Sequence, residues 1–301
     1  MKKTCLIIAG PTASGKTNFA IELAKHFNTE IISADSRQCF KELNIGVAKP
    51  TAEQLQQVKH HFINSHSIKD DVNAAYFESY AMSAIEKIFE NNDVAVMVGG
   101  TGLYIKAFCE GVDMIPPISP ALRQSILDQY VNKGLRWLQN ELKESDPRWY
   151  AAGEIKNPQR MMRALEVVKG TGKSILDFQK GEKAARNFRI VKIAPDIARD
   201  QLYNNINSRV DEMITAGLAD EVKQLMPYRK LNALQTVGYA ELFDYYNGKI
   251  SLEKAIDDIK KNTRHYAKRQ VTWFKKDAEI KWLKTDGTTL FLSLALEALQ
   301  E

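Results

Sequence analysis

Cysteine is scarce in this chain. Its 301 residues include three, Cys5, Cys39 and Cys109, far apart and with no Cys-x-x-Cys spacing. That excludes a disulfide framework and a cysteine-built zinc site, and it suits reduced thiols in the cytoplasm. Long apolar runs are missing too, so no segment is expected to cross a membrane. Lys2 and Lys3 precede a short apolar run, Cys5 to Ala9, too brief for a signal peptide. Histidine is rare as well. His60, His61 and His66 lie near one another, but two are adjacent and no carboxylate or thiol completes a metal set. They read as loop or strand histidines. Internal repeats and low-complexity tracts are absent. The net charge of +5 is modest; it is compatible with a nucleic-acid partner but decides little.

What is present is more informative. Gly10-Pro11-Thr12-Ala13-Ser14-Gly15-Lys16-Thr17 matches G-x-x-x-x-G-K-[ST] at every fixed position. A buried-strand pattern over residues 4–9 precedes it. Phe19, Ala20, Leu23, Ala24 and Phe27 then recur at helical spacing, predicting a helix over residues 16–27. This is the context in which such a loop cradles phosphate. Glycines let the backbone curl around an anion, amides and the helix end supply positive potential, Lys16 adds a charge, and Thr17 offers a hydroxyl for Mg²⁺.

Further strands are expected over Glu30–Ala34, Val94–Val98 and Phe188–Ala194, with an edge strand over Glu279–Leu283. The second ends in Asp35-Ser36-Arg37-Gln38. A carboxylate there stands where ligands bind in open α/β sheets, as base, Mg²⁺ ligand or cap of the next helix. The third ends in Gly99-Gly100-Thr101-Gly102, where glycines would let backbone approach a ligand and Thr101 would offer its hydroxyl. Ile115-Pro116-Pro117-Ile118-Ser119-Pro120 marks a boundary. Residues 121–180 beyond it are helical and polar. Asn157-Pro158-Gln159-Arg160-Met161-Met162-Arg163 opens a helix with Arg160 and Arg163 on one face, a surface able to read polynucleotide or simply a solvated one. Ile206, Val210, Met213, Ile214, Leu218, Val222 and Leu225 predict one long amphipathic helix with Gly217 inside it. Basic residues from Lys260 to Lys276, interleaved with Tyr266, Trp273 and Phe274, suit RNA backbone binding. The fold class is therefore α/β: a P-loop NTPase-like core with a mostly parallel sheet over 1–118 and 186–301, plus an inserted all-helical domain over 119–185.

Taken together these blocks resemble the bacterial tRNA dimethylallyltransferases (tRNA isopentenyltransferases). The likeness runs from Gly10–Thr17 through Asp35–Gln38, Ile45–Pro50, Gly99–Tyr104, Asn157–Val167, Arg209–Met213 and Val237–Tyr239 to Thr263–Gln270 and Thr272–Phe274. The resemblance implies transfer of a dimethylallyl group from dimethylallyl diphosphate to the N6 amine of the adenosine 3′ to the anticodon. It implies Asp35 as the candidate base and Thr101 between amine and diphosphate. Lys16, the loop Gly10–Thr17, Arg209 and Mg²⁺ at Thr17 would stabilise the leaving diphosphate. It also implies that Ser36, Arg37 and Gln38 contact the target base or its neighbours. Arg123, Gln159, Arg160, Met161, Met162 and Arg163 would hold the anticodon stem-loop. The expected state is a monomer. Cys39-Phe40 departs from the family pattern and removes a hydroxyl near the site; Thr171-Gly172-Lys173-Ser174 departs only at a turn. The competing readings are transfer to free adenine nucleotide, an ATP-dependent phosphotransferase, and a non-catalytic, nucleotide-gated RNA-binding protein.

Overall fold

The computed structural model describes residues 2–179, 181, 183–284 and 288–300. Its elements run β1 (Thr4–Ala9), α1 (Lys16–His26), β2 (Ile31–Ser33), α2 (Ala52–Gln57), β3 (His60–His61), α3 (Ala74–Asn91), β4 (Val94–Gly99) and α4 (Gly102–Glu110). Then follow α5 (Pro120–Ser145), α6 (Pro147–Ala152), α7 (Pro158–Thr171), β5 (Arg189–Asp196), α8 (Arg199–Thr215), α9 (Leu218–Gln224), α10 (Tyr239–Tyr246), α11 (Leu252–Phe274), β6 (Ile280–Lys284) and α12 (Thr288–Gln300). The strands form one sheet in the order β3-β2-β4-β1-β5-β6, and every described pairing is parallel.

An all-parallel sheet is covered on both faces, and the strand sequences show it. Residues of β1 and β4 are buried throughout. Alternate side chains serve opposite faces. Cys5, Ile7, Ala95 and Met97 join the core with Phe77, Phe108, Leu242 and Ile259, while Leu6, Ile8, Val96 and Val98 join the other with Phe19, Leu23 and Phe291. Phe19 of α1 and Phe291 of α12 stack at 4.1 Å between centroids. Register matters for function. Ala9 of β1 lies opposite Gly99 of β4, and Ser33 of β2 opposite Val98. The segments that follow these strands, beginning at Gly10, Ala34 and Gly100, therefore leave the sheet at one common edge.

The chain divides into two compact units: residues up to Gly111 with those from Ala184 onward, and Val112–Lys183. The second unit thus starts before the proline-rich stretch and includes it, earlier than residue 119. Its core gathers Ile126, Leu138, Leu142, Trp149, Met161, Ala164, Leu165, Val167 and Ile175 from α5, α6, α7 and the turn after them. Helix α5 is broken at Gly134, whose φ of 74° and ψ of −171° suit glycine alone. In the first unit the Ala184 amide donates to the Glu110 carbonyl at 2.8 Å, so the two crossings into the insert lie side by side.

One expected helix is two. Gly217 adopts φ 96° and separates α8 from α9. The apolar spacing continues across the break, which is why periodicity alone reads it as continuous.

Candidate active site

The phosphate loop is built by strain that glycine and one alanine accept. Gly10 takes φ 140°, Ala13 φ 63° and Gly15 φ 80°, just ahead of α1. Ser14 donates its hydroxyl to the Pro11 carbonyl at 2.8 Å, and Lys16 donates to the same carbonyl, so the ammonium lies across the loop. Asn205 of α8 donates to the Ala13 carbonyl at 3.2 Å. Burial pushes the Lys16 pKa down to about 7; the Arg209 guanidinium adds to the shift and Asp35 opposes it. Burial also lowers the Arg209 pKa. Two cations held against desolvation and against each other beside a ring of amides make a site short of negative charge. The Thr17 hydroxyl has no hydrogen-bond partner among the described residues, and no cluster of three or more His, Cys, Asp or Glu forms a metal cage among them. A lone hydroxyl at a phosphate loop fits Mg²⁺, which takes most of its ligands from phosphate and water.

Asp35 both caps a turn and keeps a free oxygen. Its Oδ1 accepts from the Arg37 amide at 2.9 Å and the Gln38 amide at 3.3 Å. Its other oxygen has no hydrogen-bond partner among the described residues. Thr101 stands just before α4. Its Oγ1 accepts from the Ser36 amide at 3.0 Å and lies 3.4 Å from the Ser36 hydroxyl, tying the β2 and β4 exits together. Gln38 donates through Nε2 to the Val47 and Ala48 carbonyls at 3.2 and 3.0 Å. Cys39 and Phe40 are buried in the core, so that departure from the family pattern is absorbed by packing.

The glycines from the end of β4 to the start of α4 stand against other parts of the protein. A Cβ on Gly99 would lie 2.1 Å from the Ala34 carbonyl oxygen, one on Gly100 2.3 Å from Gln270 Nε2, and one on Gly102 2.2 Å from Trp273 Nε1. They admit the protein's own β2 exit and α11. Gln270 is the piece the sequence reading left out. Its amide accepts from the Thr12 N–H at 2.9 Å and donates to the Gly100 carbonyl at 2.8 Å, clamping the phosphate loop to the β4 exit. Tyr266, Gln270 and Trp273 fall at i, i+4 and i+7 on α11, and that stripe within the Tyr266–Gln270 block was the available signal. The Tyr266 hydroxyl is pushed up to about 12 by burial and by Asp35, with Arg37 and Arg269 opposing. Trp273 remains 41% exposed.

Basic residues of α11 divide into two groups. Lys260 pairs with Asp211 at 2.6 Å and Arg264 donates to Asn207 at 2.6 Å, fastening α11 to α8. Lys261, Lys268, Arg269, Lys275 and Lys276 are exposed. Lys268 and Lys275 line a cavity of about 320 Å³ beside Pro11, with Arg199, Tyr203 and Trp282. In the second unit, Gln159 and Arg160 are exposed at the start of α7, with Arg160 3.2 Å from Glu154. Arg123 and Arg163 share the nearly buried carboxylate of Glu166 at 3.4 and 3.2 Å. Met161 is wholly buried in that unit's core, so its side chain has no surface to offer RNA, against expectation. Met162 packs on the same core.

Parallel topology, a phosphate loop after β1 and a helical insert together define the class: an α/β protein of the phosphate-loop type. A family model described as IPP transferase matches residues 38–277. The tRNA dimethylallyltransferase of Christiangramia forsetii is 48% identical over 95% of both chains, and that of Cytophaga hutchinsonii 44% identical over 100% of this chain and 99% of its own. Among solved structures, the tRNA isopentenylpyrophosphate transferase of Bacillus halodurans superposes with a TM-score of 0.72 at 35% identity, covering 99% of this chain and 97% of its own. A eukaryotic dimethylallyltransferase acting on tRNA gives 0.82 at 26% identity, over 99% and 80%. The chain belongs to the IPP transferase family.

Proposed function

We propose that this enzyme transfers a dimethylallyl group from dimethylallyl diphosphate to the N6 amine of the adenosine 3′ to the tRNA anticodon, releasing diphosphate. The observation that carries it is convergence. The phosphate loop, Asp35 and Thr101 follow three parallel strands whose register ends them at one edge. A carboxylate with a free oxygen beside the loop suits removal of a proton from a weak nucleophile.

In this reading the amine lone pair attacks the terminal allylic carbon while the carbon–oxygen bond breaks and its electrons leave with diphosphate. The proton lost from nitrogen goes to the free oxygen of Asp35. Lys16, Arg209 and the loop amides from Ala13 to Thr17 stabilise the departing charge. The Thr17 hydroxyl would hold Mg²⁺, which would neutralise diphosphate charge. Thr101, tied to Ser36, orients both reactants. The target base leaves its stack to reach this edge, where Ser36, Arg37 and Gln38 contact it. Arg123, Gln159, Arg160 and Arg163 hold the anticodon stem-loop. The enzyme works as a monomer in the cytoplasm.

The test is transfer of label from dimethylallyl diphosphate to unmodified tRNA with Mg²⁺, with AMP in parallel. Label in tRNA is expected. Label in AMP alone would overturn the acceptor, and none in either would overturn the reaction. Asp35→Asn retains an oxygen for the Arg37 and Gln38 amides but is a poor base. It is expected to lower kcat by about 10²- to 10⁴-fold with an unchanged Tm. Asp35→Ala should lose about 1 kcal/mol of stability besides, because it abandons two amides. Full activity in Asp35→Asn would remove Asp35 as the base.

A further inference from the structure

We propose that Glu221, on α9, is a positioning residue for base recognition: it holds the loop that fixes the polarity of the Gln38 amide. The inference rests on the reading that Gln38 contacts the target base.

The Glu221 carboxylate gathers hydrogen bonds that no local motif requires. It accepts from three consecutive backbone amides, Asn44 at 3.0 Å, Ile45 at 2.8 Å and Gly46 at 3.1 Å. The Tyr239 hydroxyl donates to it at 2.6 Å. Successive amides turned to one point form a concavity suited to an anion, and here the anion is a side chain from far along the chain. Gly46 is pressed on the Tyr239 ring so closely that a Cβ there would lie 2.6 Å from a ring carbon. Tyr239 is fully buried. The loop is therefore seated by charge on one side and by an aromatic ring on the other.

The next two residues of that loop are Val47 and Ala48, whose carbonyls receive both hydrogens of Gln38 Nε2. Carbonyls only accept, so the amide nitrogen has one permitted position. The Gln38 oxygen is left as the presenting atom. It accepts from the Ser33 hydroxyl at 3.3 Å and retains a second lone pair. Held in this way Gln38 offers a base an acceptor and never a donor. It favours an exocyclic amine, as on adenine, and disfavours a carbonyl at the same position. Without Glu221 the loop carbonyls are no longer held, the amide is free to turn over, and that preference is lost.

The test compares anticodon stem-loops carrying adenosine or inosine at the target position, by binding to the full-length enzyme, with KM for dimethylallyl diphosphate measured alongside. In Glu221→Gln the ratio favouring adenosine is expected to fall about tenfold, the worth of one hydrogen bond to a buried partner, with KM for dimethylallyl diphosphate unchanged. Gln38→Ala should lower the ratio similarly, and the double variant should fall no further than Gln38→Ala alone. Tyr239→Phe removes one of the four bonds to Glu221 and should shift the ratio in the same direction by less; it carries the test if Glu221→Gln does not fold. Independent, multiplying effects of Glu221→Gln and Gln38→Ala would overturn the link between them. A ratio unmoved by Gln38→Ala would overturn the reading of Gln38 itself, and this inference with it. Equal losses in both substrates would reduce Glu221 to a structural role.

Discussion

Lys16 is charged at neutral pH only in part, and a diphosphate bound beside it would change that. Burial first, then Arg209, lowers its pKa to about 7 in the unligated protein. A diphosphate beside it favours the charged form and raises the bound pKa. Below pH 7 the lysine carries its proton before and after binding, so its charge state adds no pH dependence. Above pH 7 each diphosphate bound draws in one proton, and affinity falls as pH rises, by up to about tenfold per unit. Calorimetry of inorganic diphosphate in buffers of different ionisation enthalpy reads this directly. Proton uptake near one at pH 8.5 is expected beyond that of Lys16→Arg, in which the guanidinium does not titrate. Equal uptake in the two proteins would sink the assignment.

Among elements, close approach separates the glycines between Gly99 and Gly102. A methyl on Gly99 meets a backbone carbonyl, which cannot move without parting β2 from β4; a methyl on Gly102 meets an exposed indole, which can swing away. Gly99→Ala is expected to cost about 1–3 kcal/mol in urea unfolding and Gly102→Ala well under that. Equal costs would mean the strand exits are looser than they look. The same elements show what sequence can reveal. Strands β1 and β4 and helix α1 are legible because unbroken apolar runs and a 3.6-residue period are local signals. The phosphate loop is legible because its glycines obey a fixed spacing. Helix α2 and the two-residue strand β3 are too short to have a period, and Gly217 interrupts the backbone without interrupting the apolar pattern. Gln270 is obscure for another reason: its two partners, Thr12 and Gly100, are brought to it only by the completed sheet. Met161 sits among arginines in sequence, yet helical rotation turns it inward while Arg160 stays exposed.

At the scale of the molecule the insert is separable. Val112–Lys183 has its own core, and the first unit closes across its stems through Ala184 and Glu110. Replacing that span by a short Gly-Ser linker is expected to leave a folded protein that binds inorganic diphosphate as before and no longer transfers a prenyl group to tRNA. Filter binding and the labelled transfer assay check the two halves of the claim. Retained transfer would show that Arg123 and the start of α7 are dispensable; an unfolded product would show that the first unit depends on its insert.

The joined stems also bear on how the chain reaches its native state. Strand β5 must find β1 after a long detour in sequence, and closing so long a loop costs chain entropy that delays such pairings. If the insert collapses first, its ends are already together, and the detour shortens by the whole of Val112–Lys183. The insert then acts as a self-assembling clasp for the sheet, and a destabilised clasp, such as Gly134→Ala would make, should slow refolding of a core that contains none of its residues.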